Sequence, residues 1–173
     1  MKIDISIIGS TGSIGLSVLK IIDKRKKNFQ VNVLSANKNY KLILKKIKKY
    51  KPKIFIISDF NTFKKLREGN YKTKILGNFD TLKLNKKSDI VVSAIPGICG
   101  LHPTLTMIKF CKKLLIANKE SIICGWNLIK KEASKNKTKI IPVDSEHYSI
   151  FKLLENNNLS QIKKIYITAS GGP

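Results

Sequence analysis

Residues 3–15 read Ile3-Asp4-Ile5-Ser6-Ile7-Ile8-Gly9-Ser10-Thr11-Gly12-Ser13-Ile14-Gly15, an apolar run followed directly by a glycine-rich segment. The next residues, 16–24, carry apolar side chains at helical spacing. Strand, glycine-rich turn and helix form the unit that holds a dinucleotide pyrophosphate, because glycine permits close backbone approach and the helix N-terminus attracts the anion. A plain strand-to-helix turn is the alternative. The pattern GxxGxxG in this context predicts a dinucleotide site.

Short apolar runs alternate with helical patterns along the rest of the chain. Strands are predicted at residues 3–8, 29–35, 53–58, 72–76, 89–94, 113–117, 139–143 and 163–168. Helices are predicted between most of them, most clearly at residues 41–50, 104–111 and 121–135. This alternation predicts an α/β fold with a Rossmann-like, doubly wound and mainly parallel sheet.

The chain has 173 residues, of which 42% are hydrophobic, and a net charge of +23. Such a charge is typical of proteins that bind nucleic acid, but the lysines are dispersed, and neither aromatic RNP-like strings nor zinc-ligand spacings occur. We therefore expect no specific nucleic-acid partner. No apolar run is long enough for a membrane span, and the N-terminus is a poor signal peptide, which predicts a cytoplasmic protein. The three cysteines lack paired spacing and are expected to be reduced thiols.

The end of the second predicted strand bears on the choice of cofactor. It reads Ser35-Ala36-Asn37-Lys38-Asn39 and carries no acidic residue. NAD-specific sites place a carboxylate here on the ribose hydroxyl, whereas Lys38, Ser35 and the asparagines would bind a 2′-phosphate. The segment favours NADP(H), with Lys38 as an ordinary surface lysine being the alternative.

Polar residues follow two further strands. Asn118-Lys119-Glu120-Ser121 opens a predicted helix, where a lysine can polarise a carbonyl group, although simple helix capping is equally consistent. Asp144-Ser145-Glu146-His147 follows a later strand. In an extended segment the two carboxylates would point the same way and suit Mg²⁺ or Mn²⁺, whereas Asp144 or Ser145 as a helix N-cap is the alternative.

The last residues, 168–173, contain a hydroxyl group and a glycine-rich turn. Such a turn can bind a phosphate group through its backbone N–H groups, or it can be only a turn. Because a domain rarely ends on an unclosed loop, we expect this chain to be the first part of a longer protein.

Four ordered strings together resemble the 1-deoxy-D-xylulose 5-phosphate reductoisomerase family of isoprenoid precursor biosynthesis. They are GSTGSIG at 9–15, LLIANKES at 114–121, PVDSEH at 142–147 and SGGP at 170–173. The resemblance implies an NADPH-binding Rossmann-like domain at 1–143 and the beginning of an α+β catalytic, metal-binding domain at 144–173.

The resemblance also implies roles for individual residues. Lys119 and Glu146 would be catalytic. The metal, Mg²⁺ or Mn²⁺, would be bound by Asp144 and Glu146, and the phosphosugar substrate by Lys119, Ser145, Glu146 and Ser170. NADPH would be bound by Thr11, Gly12, Ser13, Ile14, Ala36, Asn37, Lys38, Asn39, Asn118 and Glu120.

In this family the metal polarises the substrate ketone, carbon–carbon rearrangement gives an aldehyde, and NADPH reduces it to 2-C-methyl-D-erythritol 4-phosphate. A third metal carboxylate lies beyond residue 173 in the family. We therefore expect NADPH binding with little or no turnover from this chain alone, and a homodimer of the full-length protein. Another NADP-dependent reductase, of the semialdehyde type with a catalytic cysteine, is the alternative enzyme. A basic nucleic-acid-binding module is the alternative from another class of protein.

Overall fold

The computed structural model describes residues 1–155 and 157–167. Its strands are β1 (Ile3–Ile8), β2 (Phe29–Ala36), β3 (Ile54–Ile57), β4 (Lys74–Leu76), β5 (Ser88–Ser93), β6 (Cys111–Ile116) and β7 (Lys139–Pro142). Its helices are α1 (Ser13–Lys24), α2 (Tyr40–Tyr50), α3 (Phe60–Arg67), α4 (Leu101–Ile108), α5 (Lys119–Asn136) and α6 (Ser145–Glu155). Short 3₁₀ turns cover Ile98–Gly100 and Leu159–Gln161.

The strands form one sheet in the order β4-β3-β2-β1-β5-β6-β7, and every neighbouring pair is parallel. Beginning at β1, the chain builds the sheet outward to β4 and then returns to the other side of β1 with β5. The strand order therefore reverses between β1 and β5, which is where ligands bind in open α/β sheets. The predicted Rossmann-like, doubly wound parallel sheet is confirmed.

Side chains on both faces of the central strands are buried. Ile7 and Leu34 pack with Leu19 of α1 on one face, while Ile8 and Met107 of α4 belong to the core on the other. Burial on both faces explains why these strands read as continuous apolar runs instead of alternating ones. In the described part of the chain, no helix is long and apolar enough to cross a bilayer.

Two local predictions need correction. The helix predicted at 104–111 lies at Leu101–Ile108, and Cys111 instead begins β6, paired with Ser88. No strand forms at residues 163–167; Tyr166 there is exposed, and a strand requires a neighbouring strand to satisfy its backbone groups. Residue 168 lies outside the described residues. Helix α3 carried too weak an apolar pattern to be identified individually.

Replacing Phe55 with alanine is expected to destabilise the sheet strongly. Its ring is fully buried in β3, and deletion of a buried ring costs about 3–5 kcal/mol through lost burial and the cavity left behind. Phe60→Ala is the matched control, since that ring is 72% exposed and its loss should change stability by less than about 0.5 kcal/mol. Urea unfolding followed by circular dichroism measures both, and equal losses would contradict the assignment of Phe55 to the core.

Candidate functional site

The glycine-rich loop brings the start of α1 close to the ends of two strands. Gly9 has φ +88°, and a Cβ atom there would lie 2.6 Å from the carbonyl oxygen of Ala94. A Cβ atom on Gly15 would collide with the backbone of Gly9 and Ser10. Both positions therefore require glycine for the chain's own packing, and they hold the N-terminus of α1 against the β1–β5 boundary.

Gly12 differs from the other two loop glycines. Its φ of −76° is open to any residue, and the nearest atom to an added Cβ is 3.6 Å away. It occupies the N-cap position of α1 without a side-chain cap, so the first N–H groups of the helix have no side-chain acceptor there. The fold itself therefore does not require glycine at position 12. The absence of a side chain there leaves the positive end of α1 open to an anion.

Two cavities meet at this loop and form one groove across the β1–β5 boundary. The larger, of about 670 Å³, lies towards β2 and β3, and the smaller, of about 280 Å³, lies towards β6. Both are lined by Gly12 and by Ala94, Ile95 and Pro96, which follow β5. Thr11 lines the larger cavity, and Ser13 and Ile14 line the smaller one. The groove has the course expected of an extended dinucleotide at a switch point.

The end of β2 partly departs from expectation. Ser35 is buried: its Oγ accepts from the Gly9 N–H at 2.9 Å, and its carbonyl oxygen accepts from the Ser10 backbone N–H and hydroxyl group. The Ser35 hydroxyl group thus joins the glycine-rich loop to β2, and binding of a 2′-phosphate by Ser35 stays a prediction.

The neighbouring predicted residues remain available for a cofactor. Ala36 and Asn37 line the larger cavity, and Lys38 is exposed beyond them. Asn39 is the N-cap of α2, where its Oδ1 accepts from the Leu42 N–H at 3.1 Å. The segment therefore offers an exposed lysine beside the capped start of α2 to an anion, and β2 ends without a carboxylate.

Asn118 connects the two sides of the smaller cavity. Its Oδ1 caps α5 by accepting from the Ser121 N–H at 2.7 Å, and its Nδ2 donates to the carbonyl oxygens of Ile95 and Gly97. The side chain is only 3% exposed and lies against Gly100, where a Cβ atom would collide with it. These contacts hold the loop after β5 to the start of α5. A direct contact of Asn118 with a cofactor stays a prediction.

Lys119 and Glu120 begin α5 and line the smaller cavity. Lys119 Nζ lies 3.3 Å from Glu146 Oε2, which also accepts from the Ser145 hydroxyl group at 3.1 Å. The pKa of Glu146 lies below its usual value because of its backbone N–H group at the helix start, followed by Lys119 and Ser145. The structure thus brings together three of the predicted substrate-binding side chains beside the groove.

The carboxylates of Asp144 and Glu146 do not extend from a strand, as the sequence had indicated. Helix α6 begins at Ser145, and Asp144 Oδ1 accepts from the His147 N–H at 3.1 Å, which is an N-cap interaction. Helix α6 therefore starts directly after Asp144, and the chain does not continue as a strand. The capping alternative is therefore realised for Asp144.

Asp144 nevertheless retains a free oxygen. Its side chain is 9% exposed, and Oδ2 is buried without a hydrogen-bond partner in residues 1–155 and 157–167. Burial alone would raise the pKa of Asp144, but the two hydrogen bonds from His147 and the charge of Lys119 outweigh it and hold the pKa below its usual value. An ionised, buried and unpaired carboxylate oxygen fits a hard cation.

Asp144 and Glu146 alone make only part of a metal site. Within the described ranges, no group of three or more His, Cys, Asp or Glu side chains could hold a metal ion. Ser170 and the rest of 168–173, predicted to bind a phosphate group, lie outside the described residues.

One wall of the larger cavity was not predicted from the sequence. This wall contains Phe79, Asp80, Cys99 and His102, with His102 Nε2 2.9 Å from Asp80 Oδ1. Asp80 lies in the β4–β5 connection and His102 in α4, and no motif within either segment indicates that they meet. Only the strand order, which was not predicted in detail, brings them together.

Comparison with known proteins agrees with this arrangement. The family model for 1-deoxy-D-xylulose 5-phosphate reductoisomerase matches residues 5–125, and the model for its C-terminal domain matches residues 140–173. The reductoisomerase of Pelagibacter ubique is 54% identical, and that of Clostridium novyi is 41% identical, each over 98% of this chain. The chain spans 45% and 46% of the length of these two relatives.

Solved structures extend the comparison. The Zymomonas mobilis reductoisomerase in complex with NADPH has a TM-score of 0.80 and 31% identity, covering 88% of this chain and 41% of that one. A reductoisomerase in complex with NADPH, fosmidomycin and magnesium has a TM-score of 0.78 and 31% identity, covering 87% of this chain and 38% of that one. With the family model matching residues 5–125, the chain belongs to the 1-deoxy-D-xylulose 5-phosphate reductoisomerase family.

Proposed function

We propose that the protein to which this chain belongs converts 1-deoxy-D-xylulose 5-phosphate to 2-C-methyl-D-erythritol 4-phosphate with NADPH and a divalent metal ion. The observation that carries the proposal is the groove across the β1–β5 boundary, which runs from the end of β2 to Lys119. A dinucleotide site thereby adjoins a cluster of Lys119, Asp144 and Glu146. Because the chain spans less than half of its relatives, the activity is proposed for the longer protein.

The glycine-rich loop would hold the NADPH pyrophosphate, with the N–H groups of α1 at Gly12, Ser13 and Ile14 facing the phosphates. Asn37, Lys38 and the start of α2 would bind the 2′-phosphate. At the other end of the groove, Glu120 would lie near the nicotinamide side. The bound cofactor supplies the hydride for the reduction.

The cluster beyond the smaller cavity would bind substrate and metal. Asp144 Oδ2 and the Glu146 carboxylate would hold Mg²⁺ or Mn²⁺, which polarises a ketone when bound. Lys119 would orient the substrate oxygens from its position 3.3 Å from Glu146 Oε2. Ser145, and Ser170 farther along the chain, would contact the phosphosugar.

Three finer features belong to the same proposal. The full-length protein would act in the cytoplasm, would be a homodimer and would have no specific nucleic-acid partner. The dispersed lysines would then serve as solvated surface charges.

Gly12→Ala is expected to weaken NADPH binding by at least about tenfold, because the added methyl group fits the chain but occupies the space where a pyrophosphate approaches. Alanine is a poorer N-cap residue than glycine, so a loss of stability of up to about 1 kcal/mol is expected as well. Ser17→Ala, on the exposed face of α1, is the matched control. Isothermal titration with NADPH measures the change, and duplex DNA in the same buffer tests for general anion binding. Equal affinity of wild type and Gly12→Ala, or tighter binding of DNA than of NADPH, would contradict the proposal.

Lys38→Met is expected to reduce NADPH affinity by about tenfold, since a charge-assisted contact to the 2′-phosphate is lost. NADH affinity should not change, because NADH lacks that phosphate. Lys48→Met, in the last turn of α2 and exposed, removes the same charge away from the proposed site and serves as the control. A parallel fall in NADPH and NADH affinity would show that Lys38 does not read the 2′-phosphate.

The reactivity of the cysteine thiols can report where the cofactor binds. Burial raises the pKa of Cys111 to about 12, so its thiol should not react with iodoacetamide in the folded protein. Cys99 and Cys124 are exposed, and Cys99 lines the larger cavity. We expect NADPH to slow alkylation of Cys99 but not of Cys124, as followed by peptide mass spectrometry. Equal rates at Cys99 with and without NADPH would place the cofactor elsewhere.

A further inference from the structure

Asp144 is held by two donors from one residue. Its Oδ1 accepts from the His147 backbone N–H at 3.1 Å and lies 2.7 Å from the His147 ring nitrogen Nδ1. A carboxylate oxygen only accepts hydrogen bonds, so in this contact the ring nitrogen is the donor. Both bonds reach the same oxygen and leave Oδ2 unpartnered within the described part of the chain.

We infer that His147 is a positioning residue that fixes the Asp144 carboxylate with Oδ2 turned towards a divalent cation. The inference rests on the proposed function, since it assigns a role to the surroundings of the proposed metal site. Histidine or amide donors that hold a ligating carboxylate usually tune metal affinity by about 10–100-fold.

The backbone bond alone does not explain this arrangement. An N-cap aspartate needs only the N–H three residues later, and the cap would persist with any residue at 147 except proline. The His147 ring is 57% exposed, so it is not placed there by core packing. Its visible interaction is the second bond to Oδ1, which removes the freedom of the carboxylate to rotate and exchange its two oxygens.

The other carboxylate of the cluster is held differently. Glu146 Oε2 lies 3.3 Å from Lys119 Nζ and accepts from the Ser145 hydroxyl group, and His147 forms neither a hydrogen bond nor an ion pair with it. Substitution of His147 should therefore act on the metal through Asp144 and leave the Lys119–Glu146 pair in place.

The test measures Mn²⁺ binding to the chain and does not depend on turnover. Binding is followed by loss of the free-Mn²⁺ electron paramagnetic resonance signal, and paramagnetic broadening of amide signals in α6 locates the ion. The variants are Asp144→Asn, His147→Leu, His147→Asn and His147→Gln. Asparagine places an amide N–H at the position of Nδ1, whereas the glutamine amide is one carbon farther out.

A matched control lies on the same helix. Lys152 Nζ donates to Glu155 Oε2 at 2.6 Å, also three residues apart, so Lys152→Leu removes a comparable side-chain donor away from Asp144. Circular dichroism and thermal unfolding verify that every variant keeps the fold.

We expect His147→Leu and His147→Gln to weaken Mn²⁺ binding by about tenfold or more, while His147→Asn and Lys152→Leu stay close to wild type. Wild-type affinity in His147→Leu, or failure of His147→Asn to restore binding, would overturn the inference while leaving the metal site intact. Mn²⁺ binding that survives Asp144→Asn would instead contradict the metal site in the proposed function, and with it this inference.

Discussion

The approach of α1 to the ends of β1 and β5 is the constraint on which the site depends. A side chain at Gly9 would overlap the backbone that follows β5, and one at Gly15 would overlap the turn itself. Either would push the helix away from the sheet, and the N–H groups at its start would no longer face the groove. Ser35 completes the arrangement from β2 by accepting the Gly9 N–H, so three neighbouring strands fix one turn.

The parallel order of the strands explains where charge collects. Each helix that follows a strand begins at the same edge of the sheet, and α1, α5 and α6 present their N-termini there. Such helix starts stabilise negative charge. The pKa of Glu146 is lowered at one of them, and Asp144 is ionised despite its burial. The chain has only 11 acidic residues and 34 basic ones. Ionised carboxylates at this edge therefore distinguish it from the rest of the lysine-rich surface.

Much of the fold could be predicted from the chain alone, because buried parallel strands and amphipathic helices leave strong local patterns. The seven strands of the sheet lie close to their predicted positions. Properties that depend on contacts between distant segments could not be predicted. One example is the hydrogen bond from the Gly9 N–H to the Ser35 hydroxyl group. Another is the pair of hydrogen bonds from Asn118 to carbonyl oxygens in the loop after β5. Asp144 shows the same limit at short range, since a helix cap and an extended metal ligand have the same sequence.

The position of the groove also determines at which stage of folding the groove forms. Strands β1–β4 come from the first 76 residues, and β5–β7 come from residues 88–142, so each half of the sheet is a continuous stretch of chain. The groove is made from both halves, with Gly12 and Thr11 on one side and Ala94–Pro96 on the other. A nascent chain that has completed only its first half lacks the second wall. Cofactor would then stabilise only the joined halves, and its binding would oppose their separation.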